Sequence, residues 1–258
     1  MEAILFDLDD TLVVDEAVSL EAMAAAAKLA AKLHGADIPR FLSDAKTLSK
    51  SLWRGNPALG WCNEMGVTAE ECLWADMEDD LANLRDWSLG FRHALFDAVL
   101  RAQELPGDDG ALADAFADSR RRLQRLMPDA RETLARLKPS FKIGLLTNGI
   151  PSLQREKIAA SGLAGFFDEI TVSGEHGVGK PKPEIFRIIL GGLGTPPERA
   201  AMVGNSLARD IAGARNAGVA RAIWLKVPGS EEYAEVIPDD TIIGLHELPP
   251  LLPGPGRG

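Results

Sequence analysis

Cysteine is scarce. The 258-residue chain has two, Cys62 and Cys72, and no CxxC pair. A disulfide framework is therefore not expected, and the two read as reduced thiols in an intracellular, cytoplasmic protein. Positive charge is short as well: 28 Lys and Arg stand against 38 Asp and Glu, a formal charge of −10. That balance argues against nucleic-acid and anionic-membrane partners. The main basic cluster, Arg120, Arg121, Arg122 and Arg125, falls in a helical pattern and reads as a solvated helix face. The four histidines are scattered with no HExxH pair, so a zinc site is not expected. No apolar run approaches the length of a membrane span, and the N-terminus lacks a basic region before a long apolar one, so neither a membrane helix nor a secretory signal is expected. There is no internal repeat, and only the final PGPGRG (253–258) reads as a flexible tail.

What is present is an ordinary globular composition, 46% hydrophobic and 26% charged, long enough for a sizeable core. Residues 3–8 read as a short buried strand. From Ala17 the pattern turns helical, with a first helix stopped at Gly35, and it stays so to about residue 127. Candidate helices there cover 39–53, 69–85, 88–104 and 110–126. Four tryptophans in this stretch (Trp53, Trp61, Trp74, Trp87) read as packing residues. After Pro128, helices at 129–137, 151–161, 183–192 and 206–216 alternate with strands at 142–146, 169–173, 200–204, 222–227 and 241–244. Strands alternating with helices predict an α/β doubly wound parallel sheet of Rossmann-like type. The domains expected are a core from residues 1–14 and 128–258 and an inserted all-helical cap from 15–127.

In such sheets ligands bind beyond the carboxyl ends of the strands. The first strand ends in FDLDDT, placing Asp7 and Asp9 on one side of an extended chain with Asp10 beside them. Turn chemistry alone can account for clustered aspartates. The other strand ends shift the balance. They deliver Thr147-Asn148-Gly149, then the loop ending in Lys180 among prolines, then Gly204-Asn205-Ser206 with Asp210 further on. Acids, a hydroxyl and a lysine on one edge suit a phosphate held with Mg²⁺. The run GEHGVGK (174–180) approaches a nucleotide-binding loop, but Pro181 stands where Ser or Thr is required.

FDLDDT, LLTNG, GKPKPEIF and VGNSLARD, in this order, resemble the four motifs of the haloacid dehalogenase superfamily. The resemblance spans essentially the whole chain and implies phosphoryl transfer. Asp7 matches the nucleophile that forms an aspartyl-phosphate. Asp9 matches the general acid/base. Thr147 matches the hydroxyl that binds the phosphoryl group, and Lys180 the charge-neutralising lysine. Asn148 lies within reach of the substrate phosphate. Mg²⁺ would take Asp7, the main-chain carbonyl of Asp9, and ligands from the fourth motif. Retention of an acid at Asp9 points to phosphoester hydrolysis rather than dehalogenation.

The fourth motif departs from the family's usual Gly-Asp. Asn205 stands at the metal-binding position, a neutral ligand, with Asp210 close to the metal directly or through water. The function implied is a Mg²⁺-dependent phosphomonoesterase acting on a small phosphorylated metabolite, as monomer or homodimer. A dehalogenase, a phosphonate-cleaving relative and a non-catalytic ligand-binding member of the fold stand as alternatives. Trp53, Arg54, Arg85, Trp87 and Arg92 are possible cap contributors without motif support, and His176, in the loop before Lys180, reads as a surface residue.

Overall fold

The computed structural model describes residues 1–77, 82–107, 110–228 and 235–252, so the expected tail at 253–258 lies outside the described residues. Strand β1 (Ala3–Phe6) is followed by helices α1 (Glu16–His34), α2 (Ile38–Trp53), α3 (Leu59–Met65), α4 (Ala69–Cys72), α5 (Ala82–Ala102) and α6 (Ala111–Leu123). The alternating half then runs α7 (Ala130–Leu137), β2 (Lys142–Thr147), α8 (Pro151–Ser161), β3 (Glu169–Val172), α9 (Ser173–His176) and α10 (Pro183–Leu193). It ends with β4 (Ala200–Gly204), α11 (Ala212–Asn216), β5 (Arg221–Leu225), β6 (Asp240–Ile242) and α12 (Leu248–Leu251). Two compact units result, residues 1–14 with 125–258, and residues 15–124.

In the first unit the described strands form one sheet in the order β3-β2-β1-β4-β5-β6, and every pairing is parallel. The central strand β1 is buried over its whole length because both faces are covered. Side chains alternate across a strand. Ile4 and Phe6 pack with Ile143, Leu145, Val203 and Ile223 under α7. Ala3 and Leu5 pack with Leu146, Met202 and Trp224 under α10 and α11. The register sets Phe6 opposite Leu145 on one side and Val203 on the other, so β1, β2 and β4 end nearly flush. Both connections to the helical unit leave from this sheet unit and pair with each other: Val14 N–H donates to Arg125 O, and Met127 N–H to Leu12 O.

Among its described residues the second unit is helical. Helix α1 ends where Gly35 adopts φ 76°, a left-handed conformation that closes the last turn at little steric cost. Two expectations are corrected here. Of the helices expected at 69–85 and 88–104, residues 78–81 lie outside the described residues; the rest hold the single turn α4 and one long helix, α5, which runs unbroken through Asp86 and Trp87. Residues 85–88 hold no Gly or Pro, and Trp87 stacks on Phe91 one turn later at 4.7 Å. The arginines of α6 are not a uniformly solvated face. Arg120 is 2% exposed, forms an ion pair with Asp15, and lies over the Trp74 ring at 4.6 Å. Arg121 donates to Asp76 and to the Trp74 carbonyl. Arg92 is likewise structural: its Nε donates to Cys72 O at 2.9 Å and another nitrogen to Ala75 O, pinning the turn after α4 to α5.

Removing Arg120 takes a buried ion pair from the part-buried Asp15 and a cation from the face of Trp74. Arg120→Met is expected to cost about 2 kcal/mol, below the range for a fully buried pair because Asp15 keeps some solvent contact. Urea unfolding compared with wild type checks it, and an unchanged midpoint would refute it.

Candidate active site

The ladder of β1 continues one residue past the strand, because Asp7 N–H donates to Val203 O at 3.0 Å. The chain then wraps tightly: the N–H groups of Thr11, Leu12 and Val13 all point to Leu8 O. Leu8 is buried in the core, which leaves Asp7 and Asp9 on the side away from it. Asp10 takes φ 54° within this wrap, donates its N–H to Val13 O, and is a turn residue. Thr11 is fully buried. Its hydroxyl donates to Asp7 Oδ2 at 3.2 Å and accepts from Asn205 N–H at 3.2 Å, so it holds the ends of β1 and β4 together.

Lys180 is the charge centre of the site. Its ammonium is 2.6 Å from Asp7 Oδ1 and 2.7 Å from Asp210 Oδ1, and all three residues are buried. Two carboxylates and one ammonium leave a net negative charge out of water. Burial, opposed by Lys180 and reinforced by the charge of Asp210, holds the Asp7 carboxyl above its usual range. Burial pulls the Lys180 ammonium down, but Asp210 and Asp7 outweigh it and keep it charged. Asn148 supports this lysine from β2: its Nδ2 donates to Lys180 O at 3.0 Å and its Oδ1 accepts from Lys180 N–H at 2.9 Å. The Lys180 N–H is therefore spent on a side chain, and GEHGVGK does not form a phosphate loop. His176 closes the short α9 and is exposed.

The helix expected at 206–216 opens instead as a widened π turn, Leu207–Ile211, before α11. There the N–H groups of Asp210 and Ile211 both donate to Ser206 O. The turn brings Asp210 back under β4, where its Oδ2 accepts from Ser206 N–H at 2.9 Å. A Cβ on Gly204 would lie 2.3 Å from that oxygen, so only glycine permits the approach. Asn205 O accepts from Trp224 Nε1 at 2.8 Å, which fixes the loop from the far side. Among the described residues no three acidic, His or Cys side chains gather as a metal cage. Both oxygens of Asp210 are engaged, by Lys180 and by Ser206 N–H.

Two site residues escaped sequence reasoning. Gln154 and Lys157 lie three apart on α8, on its buried face with Leu153, Ile158 and Ser161, and are 0% and 2% exposed. Lys157 Nζ is 3.0 Å from both oxygens of Asp9. Gln154 Nε2 lies 3.0 Å from Asp9 Oδ2 and 2.7 Å from Thr147 Oγ1 and Asn148 O, three acceptors that share its two hydrogens. No clear signal marked them, because the apolar periodicity of this helix is weak. Asp7, Asp9, Thr147, Lys180, Asn205 and Asp210 are thus brought to one edge of the sheet.

The model of the haloacid dehalogenase-like hydrolases matches residues 1–218. The chain belongs to that family. This haloacid dehalogenase-like hydrolase is of phosphatase type, as its relatives indicate. It is 39% identical over 251 residues to the phosphoserine phosphatase of Thermus thermophilus, covering 96% of this chain and 98% of that one. It is 34% identical to the pyrimidine 5'-nucleotidase YjjG of Escherichia coli, over 70% of this chain and 77% of that protein. Among solved structures, the HAD phosphatase of Thermococcus onnurineus aligns with a TM-score of 0.61 at 25% identity, covering 98% of this chain and 99% of that one. The putative HAD hydrolase YfnB of Bacillus subtilis, bound to magnesium, shares the fold at a TM-score of 0.65 and 24% identity, over 97% of this chain and 98% of that one. No described helix is long and apolar enough to cross a membrane.

Proposed function

We propose that the chain is a Mg²⁺-dependent phosphomonoesterase acting through an aspartyl-phosphate on Asp7. The observation that carries this reading is the buried Asp7 carboxylate, held at 2.6 Å by Lys180, with Asp9 two residues on and Thr147 on the next strand. A carboxylate oxygen of Asp7 attacks phosphorus while the ester P–O bond breaks, and Asp9 gives a proton to the leaving oxygen. Asp9, now a carboxylate, takes a proton from the water that cleaves the aspartyl-phosphate and releases inorganic phosphate. The Thr147 hydroxyl and the Lys180 ammonium bind the phosphoryl oxygens. Asn148 acts by fixing Lys180, and Asp210 by orienting it.

The donors present fit a magnesium ion. Thr11 Oγ1 lies 3.2 Å from Asp7 Oδ2 and 3.5 Å from Asn205 Oδ1, so a carboxylate and an amide oxygen converge beside a site with surplus negative charge. With the main-chain carbonyl of Asp9 they make an all-oxygen set, which Mg²⁺ prefers. When bound, the ion would neutralise charge on Asp7 and on the phosphoryl oxygens. With Asn205 a neutral ligand, Asn205→Asp is expected to tighten Mg²⁺ about tenfold, since ligand charge sets affinity in oxygen sites. Calorimetric titration of both proteins checks this, and equal affinities would sink it.

The substrate is a small phosphorylated metabolite, and O-phosphoserine is the first to try because the 39%-identical relative with that name aligns over nearly the whole chain. A cytoplasmic location accords with two free, buried thiols, Cys62 and Cys72. The deciding assay is phosphate release from O-phosphoserine, a pyrimidine 5'-nucleotide, a sugar phosphate and 4-nitrophenyl phosphate, with Mg²⁺ and with chelator. Mg²⁺-dependent release from any of them supports the reading, and none from all four would overturn it.

A further inference from the structure

We infer that Lys157, assisted by Gln154, is the positioning residue that sets where the Asp9 carboxyl points during proton transfer. The inference rests on the reading of Asp9 as general acid/base. Three observations carry it. Lys157 is 2% exposed, and a buried ammonium is costly unless paired. Its pairing is symmetric, with Nζ 3.0 Å from each Asp9 oxygen, so a rotation of the carboxylate is resisted from both sides. Gln154 then ties the same carboxylate to Thr147 Oγ1 and Asn148 O through one amide nitrogen. The Asn148 carbonyl can only accept, which fixes the amide orientation with its nitrogen toward Asn148 O and Asp9. Its other end, Oε1, is buried with no hydrogen-bond partner among the described residues, a cost accepted to keep that orientation. The acid/base and the phosphoryl-binding hydroxyl are therefore held in one frame by a single helix, α8.

Asp9 sits in the turn after β1 and is part exposed. Lys157 and Gln154 both reach that carboxyl from α8, so α8 supplies the aim. The proton leaves Asp9 for the ester oxygen as the P–O bond breaks, which matters greatly for an alkoxide and little for a nitrophenolate. The quantity kcat/KM reports the steps up to leaving-group departure, whereas kcat also includes water attack on the aspartyl-phosphate.

The test compares wild type, Lys157→Met, Lys157→Arg and Asp9→Asn on O-phosphoserine, or the best alkyl ester found, and on 4-nitrophenyl phosphate. Lys157→Met is expected to lower kcat/KM on the alkyl ester by about 100-fold, a typical share of general acid catalysis, and on the aryl ester by less than about threefold. Its kcat falls on both esters, with a burst of nitrophenolate, and inhibition by inorganic phosphate is unchanged. Lys157→Arg, which can address both oxygens of a carboxylate, recovers most of the loss. If Lys157→Met does not fold, Gln154→Met carries the same comparison. Equal falls on the two esters, or no fall, while Asp9→Asn does discriminate would overturn the inference and leave the role of Asp9 standing. If Asp9→Asn itself shows no discrimination, the acid/base reading fails and the inference goes with it.

Discussion

Asp7→Asn is expected to stop phosphate release, by about 10⁴-fold or more, the scale on which loss of a covalent nucleophile acts. The amide keeps the shape of the carboxylate but cannot attack phosphorus. Folding should survive. Asp7 is one of two carboxylates sharing the Lys180 ammonium, and its own carboxyl is pushed up by burial. Replacing it leaves Lys180 paired with Asp210, one charge against one, and removes the surplus. The unfolding midpoint is therefore expected to match or exceed that of wild type. Loss of turnover without loss of stability separates a chemical role from a structural one. Acid-quenched wild type should carry a phosphoryl group on the peptide containing Asp7, absent from the variant. Residual turnover above about 1% in a purified variant would be incompatible with a nucleophile at this position.

Lys180→Met is expected to fail in both respects. It leaves Asp7 and Asp210 buried with no cation between them, and breaking a buried ion pair by removing one partner costs about 3–5 kcal/mol. Phosphate release should fall with it, because the phosphoryl oxygens lose their ammonium. The pH dependence has a definite sign. With Lys180 gone, the Asp7 carboxyl loses the charge that opposed its burial and is held still further above its unfolded value. A raised carboxyl favours the folded state at low pH, so the deficit is largest near neutrality and shrinks as pH falls toward the unfolded carboxyl range. Adding Asp210→Asn to Lys180→Met should restore part of the stability and none of the activity. Urea unfolding of the four proteins of this cycle at two pH values measures the coupling. Additive losses would show that the Lys180–Asp210 contact, 2.7 Å long, does not govern the site.

The sequence by itself determined the sheet, the helical insertion, and the positions of Asp7, Thr147, Lys180 and Asn205. These are local consequences: strand and helix periods, and motifs that follow strand ends by one or two residues. Parallel register then carries every strand end to the same edge, so residues almost two hundred positions apart meet without any further signal. Only the tertiary structure decided what each side chain meets there. Lys157 and Gln154 lie in the helix expected at 151–161 without any signal of their role, because a 3.6-residue period shows that a position is buried but not what it is buried against. Asp210 follows Asn205 by five residues in the sequence, but only the widened turn places it under Gly204 and on Lys180. Arg120 read as surface until α6 brought it to Asp15 and Trp74. In each case the deciding contact is long-range and electrostatic, and such contacts leave no period in the chain. A charged side chain goes where its counter-charge is, and that is a property of the folded molecule.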